Sequence, residues 1–600
     1  MATLVFNTPA HQPPHFLHPP PYMHLKRLLT ILCLFTTLTK AQTPFIDVTQ
    51  AAGINHQFRV FEGMFGGGAC VLDFDNDGYE DVFLTGGMND DILYHNNRNG
   101  TGRKTTFTNV YAKSGLTGTR NFVTQGVTAA DVNRDGWVDL FITTITTKNK
   151  RQPRGGPSIP RAMNLLYLNN GNSRNGGPIF RDATREYGLD QLQSFSTGAS
   201  FGDVNADGYP DLYVGNYFQE FRGELSVIND ATVVGANQIA KGYLLINQKG
   251  KSFVDAYDDY GLTYKGFGFG GVFTDMDNDG DQDLIINHDF GYKRTPNLLL
   301  ENQYSSKKFV DVAEARKMDL GINSMGTAVG DYNNDGWMDY YFTNIRFNQF
   351  MVNGGAGKPF ANQTQQAGLM NFAISWGANF ADFDHDGDLD LFVANGDLNP
   401  NCVPMADFYF DNNSGHFTDN ARAMGLNDYG IGRGSVVFDY DNDGDLDLLV
   451  VNQKPVLSYP TASVTHLYRN DAAHGNWLKV TLHGLEAEMH GIGSRIEVVA
   501  GGRHMIREID GGASSHISQS STIAHFGLGA ATVVDSIIVT WTGGNRQVLT
   551  NQKINALLTI TEVPKAHTSP WIWFLLGLAT TGLIVLLLQK RARPIAQPRP

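Results

Sequence analysis

Cysteine is almost missing from this 600-residue chain: only Cys33, Cys70 and Cys402 occur, which excludes a disulfide scaffold and a zinc ribbon. Cys70 and Cys402 are expected as buried free thiols, with a bridge between them left open. Basic charge is short as well. Lys and Arg number 46 against 60 Asp and Glu, a formal net charge of -14, which argues against a nucleic-acid binder that works by neutralising phosphates. Charged residues make up only 18% while Gly reaches 66, a composition that suits many short strands and tight turns better than long helices.

Long apolar runs are confined to the two ends. Residues 23–41 carry Lys26 and Arg27, an apolar run from Leu28 to Leu38, and a small residue at Ala41, the pattern of a secretory leader. Residues 1–22 before it form a Pro/His-rich extension, either a disordered tail or no part of a protein that starts at Met23. Residues 571–588 form an uncharged run near the lower limit of the roughly 17–25 residues that span a bilayer. Lys590, Arg591 and Arg593 follow, so residues 589–600 are expected as a cytoplasmic basic tail, with the bulk on the extracellular or periplasmic side of a membrane anchor.

Between the ends one motif recurs seven times, with starts 51 (Asp331 to Asp382) to 72 residues (Asp131 to Asp203) apart. Its oxygen-bearing residues are Asp73, Asp75, Asp77 and Asp81; Asp131, Asn133, Asp135 and Asp139; Asp203, Asn205, Asp207 and Asp211; Asp275, Asp277, Asp279 and Asp283; Asp331, Asn333, Asp335 and Asp339; Asp382, Asp384, Asp386 and Asp390; Asp439, Asp441, Asp443 and Asp447. Glycine always holds the sixth position. Oxygens at positions 1, 3, 5 and 9 around a sharp turn suit a hard cation, so Ca2+ is expected in up to seven loops. An EF-hand begins the same way but requires Glu at position 12. Here that position holds Leu84, Ile142, Val214, Ile286, Phe342, Val393 and Val450, so the EF-hand is excluded. These residues belong to short apolar runs, and similar runs precede each loop, so every loop joins two strands.

Two more signals share the count. One is an apolar stretch ending in Asn, as in Leu93-Tyr94-His95-Asn96 and Leu467-Tyr468-Arg469-Asn470; the other is Phe-x-Asp or Phe-x-Asn, led by Phe45, Phe107, Phe180, Phe253, Phe309, Phe360 and Phe417. Four strands per unit and seven units describe a seven-bladed β-propeller over residues 44–470. The Phe45 strand precedes the first loop and no such strand follows the seventh. The N-terminal strand must therefore complete the last unit, which removes exposed edges.

At these loops the sequence resembles the FG-GAP and VCBS repeat families, whose propellers, among them the integrin α head, carry calcium loops. Residues 475–562 resemble the ASPIC/UnbV domain at Asn476-Trp-Leu-Lys-Val480, Gly491-Ile-Gly-Ser-Arg495, Gly511-Gly512, Phe526-Gly-Leu-Gly529 and Val539-Thr-Trp541. Asn133, Asn205, Asn333 and Arg134 depart from the carboxylate-rich loop and imply weaker cation binding there. The trailing residues read by themselves as strands of a small sandwich-like domain. Ser514, Ser515, His516 and His525 lack a nucleophile elbow, and His483 and His490 lack partners at ligand spacing.

The all-β reading therefore points to a calcium-binding surface protein that recognises a protein or a glycan, with no catalytic residues. An enzyme or a biosynthetic accessory factor, and a structural matrix-type protein, are the alternatives. The partner-binding face is expected opposite the loops, where residues 143–164 and 215–241 extend, with Lys148, Lys150, Arg151, Arg154, Arg161, Tyr217, Phe218, Phe221 and Arg222 available to an anionic ligand.

Overall fold

A computed structural model describes residues 44–565 except 62–64, 99–104, 149–158, 172–178, 222–237, 398–402 and 472–473. The expected leader, the apolar run 571–588 and both tails lie outside the described residues, as does Cys402. Among the described residues no helix is long and apolar enough to cross a membrane.

The architecture is all-β and propeller-like. Seven sheets of four to six strands precede two further sheets of three and four strands. In the first sheet Ala69–Leu72, Asp81–Leu84, Ile92–Asn96 and Phe107–Asn109 pair antiparallel in chain order. The two strands that flank its acidic loop are buried at every position, because each sheet is packed on both faces, and such strands read as continuous apolar runs. The outermost strand buries only its Phe; the next two residues are exposed. Its third residue then ends the strand. Asp47, Asn109, Asp182, Asp255, Asp311, Asn362 and Asp419 each accept, at 2.9–3.1 Å, the backbone N–H two residues on, an Asx turn that frees the chain for the crossing to the next sheet. The recurring Phe-x-Asp signal is thus a strand with its own terminator.

The closing strand lies where strand counting puts it. Phe45–Asp47 pairs antiparallel with His466–Asn470, Phe45 opposite Asn470 and Asp47 opposite Tyr468. The first and last sheets also meet at their inner strands, where the Gly434 N–H donates to the Gly67 carbonyl at 3.2 Å.

The last two sheets form the trailing domain. One runs Ala524–Gly529, Asn476–His483 and Leu557–Thr561, the last pair parallel; the other runs Arg503–Glu508, Arg495–Ala500, Val534–Trp541 and Asn545–Gln552. Leu478, Val480, Ile496, Val498, Phe526, Ile537 and Trp541 fill the space between them. Between Glu508 and Ala524 the chain leaves this domain and enters the space enclosed by the inner strands. There Gln519 exchanges backbone hydrogen bonds with Ala69 and Val71, and its side-chain oxygen accepts from the Ala129 N–H at 2.6 Å. The Phe201 N–H donates to the Gly511 carbonyl at 2.8 Å, His516 Nδ1 lies 2.8 Å from the Met325 carbonyl, and the Val437 N–H donates to Ser520 Oγ at 3.1 Å. The segment plugs the channel and fastens both domains into one compact unit. Cys70 packs against it as a buried thiol.

Candidate metal centre

The seven acidic loops share one geometry. In six of the seven the first Asp accepts the N–H groups of the fifth residue and the sixth-position glycine, as Asp73 does from Asp77 at 3.0 Å and Gly78 at 2.7 Å, and Asp439 from Asp443 at 3.1 Å and Gly444 at 2.9 Å; in the sixth loop Asp382 accepts from Gly387 at 2.9 Å while the Asp386 N–H donates to Asp384 at 3.1 Å. The fourth position is left-handed throughout, from φ 49° at Ala206 to 64° at Asn278, which explains the frequent Asn there. Gly78 has φ 85° and no atom within 4 Å of where a Cβ would stand, so in this loop glycine answers to backbone strain, whereas at Gly444, φ 101°, a Cβ would also strike the Trp477 ring.

The ninth Asp is a structural bridge. In every loop its Oδ1 accepts, at 2.7–2.9 Å, the backbone N–H of the Asn that ends the third strand: Asn96, Asn169, Asn247, Asn302, Asn353, Asn412 and Asn470. Those side chains in turn donate to the second residue of the preceding loop. Asn169 reaches the Phe74 carbonyl, Asn247 Val132, Asn302 Val204, Asn353 Met276, Asn412 Tyr332 and Asn470 Phe383, and Asn96 closes the cycle on Tyr440 at 2.8 Å. Each loop is therefore tied to the next sheet around the whole series. The sequence displayed this Asn as a strand-end signal, but its partner, as many as 344 residues away, left no trace in the spacing.

The carboxylate oxygens do not converge equally. Within 4.8 Å of one another lie those of Asp73, Asp75 and Asp81; Asp275, Asp277 and Asp279; Asp382, Asp384 and Asp386; and Asp439, Asp441 and Asp447. These are the loops with Asp at every liganding position. In the second and fifth, Asn133 and Asn333 instead donate to Asp135 at 2.9 Å and Asp335 at 3.0 Å, while Asn205 in the third accepts the Asp207 N–H at 3.0 Å. An amide that hydrogen-bonds its neighbour replaces one negative charge and quiets another. Burial pushes Asp275 and Asp331 up to about 6, Asp203 and Asp382 to about 7 and Asp441 to about 8. The ninth-position carboxyls are raised well above the ordinary range by the same desolvation. Such groups resist ionisation unless a cation stands beside them. The residues present thus fit a hard divalent ion in the first, fourth, sixth and seventh loops.

The chain places basic side chains of its own at two of these. His95 Nε2 lies 3.1 Å from Asp75, with Arg98 on Asp77, and the buried Lys479 of the trailing domain lies 2.6 Å from Asp439. Arg134 does not enter its loop: it turns to the trailing domain and donates to the Ala487 and Leu485 carbonyls at 2.8 and 2.9 Å. Its departure from the loop pattern is an interdomain tether.

Two expectations need correction or closure. Tyr217, Phe218 and Phe221 are buried in an aromatic cluster with Phe267, Phe269 and Trp376 and present no ligand face, because strand Asp211–Glu220 stays paired with Gln193–Gly202 and Gln238–Ile239 to its end and the rings pack inward. Lys150, Arg151, Arg154 and Arg222 lie outside the described residues. Ser515 and His516 are buried in the channel plug, with Ser515 bonded to Asn379 Oδ1 at 3.1 Å, and Ser514 donates to Asp510.

Comparison with known proteins defines the class first. The FG-GAP-like repeat family matches residues 73–142, 331–393 and 382–450, the FG-GAP repeat 195–228, and the ASPIC and UnbV family 484–567. The chain carries FG-GAP repeats followed by an ASPIC/UnbV domain. Among individual proteins it is similar to cartilage acidic protein 1: 26% identical over 375 residues to that of Xenopus tropicalis, covering 60% of this chain and 53% of the relative. The Mus musculus protein is 24% identical over 448 residues, 72% of this chain and 64% of that one. The chain thus spans between half and two thirds of these relatives. An Agrocybe aegerita lectin that recognises non-reducing terminal N-acetylglucosamine matches with a TM-score of 0.32 and 15% identity over 69% of this chain and 92% of that chain.

Proposed function

We propose that the chain is an exported, calcium-stabilised seven-bladed β-propeller that acts as a binding protein for a protein or glycan and performs no catalytic step. Convergence of carboxylate oxygens in the four loops with Asp at every liganding position carries the calcium reading. Three mutually repelling carboxylates within 4.8 Å are a stable arrangement once a doubly charged ion with oxygen preference sits among them. The ion's part is to neutralise and cross-link. The chain's own part is to hold Asp73, Asp275, Asp382 and Asp439 by backbone N–H donors so that the site is built before the ion arrives. With the convergent carboxylates given to the ion, partner recognition falls to other side chains, and the FG-GAP repeats, the ASPIC/UnbV domain and the similarity to cartilage acidic protein 1 support a binding or matrix-type role. The leader-like residues 23–41 support export, and residues 571–588 a membrane anchor, tested by fractionating cells that express the full chain. Calcium itself is tested by dialysing the full chain against buffered millimolar calcium and measuring bound metal by atomic absorption. At least four ions per chain are expected, and none retained would remove this reading.

A further inference from the structure

A cleft lies between the two domains. It has a volume of about 720 Å3 and is walled on one side by the loops that start at Asp331 and Asp382 and on the other by the hairpin Arg495–Glu508. That volume falls within the roughly 300–1,000 Å3 of small-molecule sites. Its polar wall is Asn333, Asp335, Asp388, Glu497, Arg503 and His504. These side chains are already held. Asn333 Nδ2 donates to Asp335 at 3.0 Å, Asn334 to Asp388 at 3.1 Å, His504 Nδ1 lies 2.7 Å from Glu497, and Arg503 donates to the Asp386 carbonyl 3.8 Å short of Asp388.

Three properties narrow the occupant. Asp335 and Asp388 on the loop wall and Glu497 on the hairpin line the space together with Arg495 and Arg503 of the hairpin, so neither sign of charge dominates, and a strongly anionic or cationic ligand gains little. Apolar lining is confined to Ile506 and the partly exposed Tyr332, which denies a protein partner the aromatic or aliphatic anchor pocket that concentrates binding energy. Donors and acceptors alternate on a fixed frame, so a ligand carrying many paired hydroxyls can be met without an ordering cost. We propose that this interdomain cleft binds a neutral oligosaccharide. The site lies on the acidic-loop side, opposite the face that loop length favours. It rests on the binding-protein reading above and specifies its ligand class and place.

The test is calorimetric titration of the full chain with neutral trisaccharides (cellotriose, maltotriose and chitotriose), beside a sulfated heparin-derived oligosaccharide, for the wild type and for Glu497→Ala and His504→Trp. Both substitutions are at partly or well exposed side chains, 28% and 60%, and an unchanged melting temperature certifies folding. One neutral saccharide should bind at one per chain, about tenfold more weakly to Glu497→Ala, the value of one hydrogen bond to a charged group, and not to His504→Trp, which fills the mouth. Binding by none of the three, binding indifferent to both substitutions, or binding of the sulfated oligosaccharide alone would overturn the assignment. Bound calcium with no saccharide binding would remove the cleft proposal and leave the calcium reading intact.

Discussion

Replacing Phe45 with Ala tests whether the first strand belongs to the last sheet. Phe45 is 1% exposed, sits 5.5 Å edge-on to Phe383 and 6.2 Å from Tyr409, and joins Val450 and Tyr468 in one core cluster. A buried Phe→Ala costs about 3–5 kcal/mol through lost transfer energy and the cavity left behind. A terminal segment resting on a finished fold would cost well under 1 kcal/mol. Phe309, 6% exposed and packed 6.0 Å from Tyr260 in an interior sheet, supplies the internal standard. Urea unfolding of wild type, Phe45→Ala and Phe309→Ala at fixed calcium should shift both variants by similar amounts, and Phe45→Ala should also open an edge that promotes association in light scattering. A near-wild-type midpoint for Phe45→Ala beside a large loss for Phe309→Ala would refute closure by the N-terminal strand.

Asn302→Ala removes donors to the Val204 and Gln282 carbonyls at 3.0 and 3.1 Å and should cost about 1–3 kcal/mol, because both acceptors are left buried without that partner; denaturant midpoints read it. Asp382→Ala should lower the melting temperature in calcium more than Asn133→Ala, since only the former sits in a convergent carboxylate site. Glu562 accepts three backbone N–H groups of Leu485, Glu486 and Ala487 at 2.7–2.9 Å, bonds that hold its carboxyl below the usual value against the opposing push of burial. Its contribution is therefore present at neutral pH and lost as pH falls below about 4.5, and Glu562→Gln should flatten that acid limb of the stability curve. The loop carboxyls have the opposite sign: Asp203 and Asp382 are raised by burial to about 7, so in chelator the protein should lose stability as pH rises from 5 to 8.

The repeats were legible because each loop spends four oxygen-bearing side chains and a glycine on one turn, and nothing else in a chain produces that pattern seven times. Closure was legible from counting, since a Phe-x-Asp strand stood ahead of the first loop and none followed the last. What escaped is held by side chains acting across sheets. The Gly511-to-Gln519 plug reads as an ordinary small-residue turn, yet it is fastened by backbone hydrogen bonds to strands hundreds of residues away. Asn545–Gln552 alternates exposed and partly buried polar residues with Val548 and Leu549 as its only apolar pair, which hid an edge strand. The Tyr217 to Phe221 run looked like a sticky loop because periodicity does not reveal that the strand stays paired as far as Glu220 and turns its rings inward.

Thermal unfolding of the full chain in millimolar calcium against EDTA tests the central claim most directly. Extracellular calcium modules have Kd values of roughly 10⁻⁴ to 10⁻³ M. At calcium about one to ten times Kd, each loop gains about 0.4–1.4 kcal/mol, or about 2–6 kcal/mol over the four convergent loops, a large share of the ~5–15 kcal/mol by which a domain is stable. A fall in melting temperature of many degrees on chelation, restored by calcium, is the predicted result; superimposable melts would mean the acidic loops fold without an ion and would contradict it.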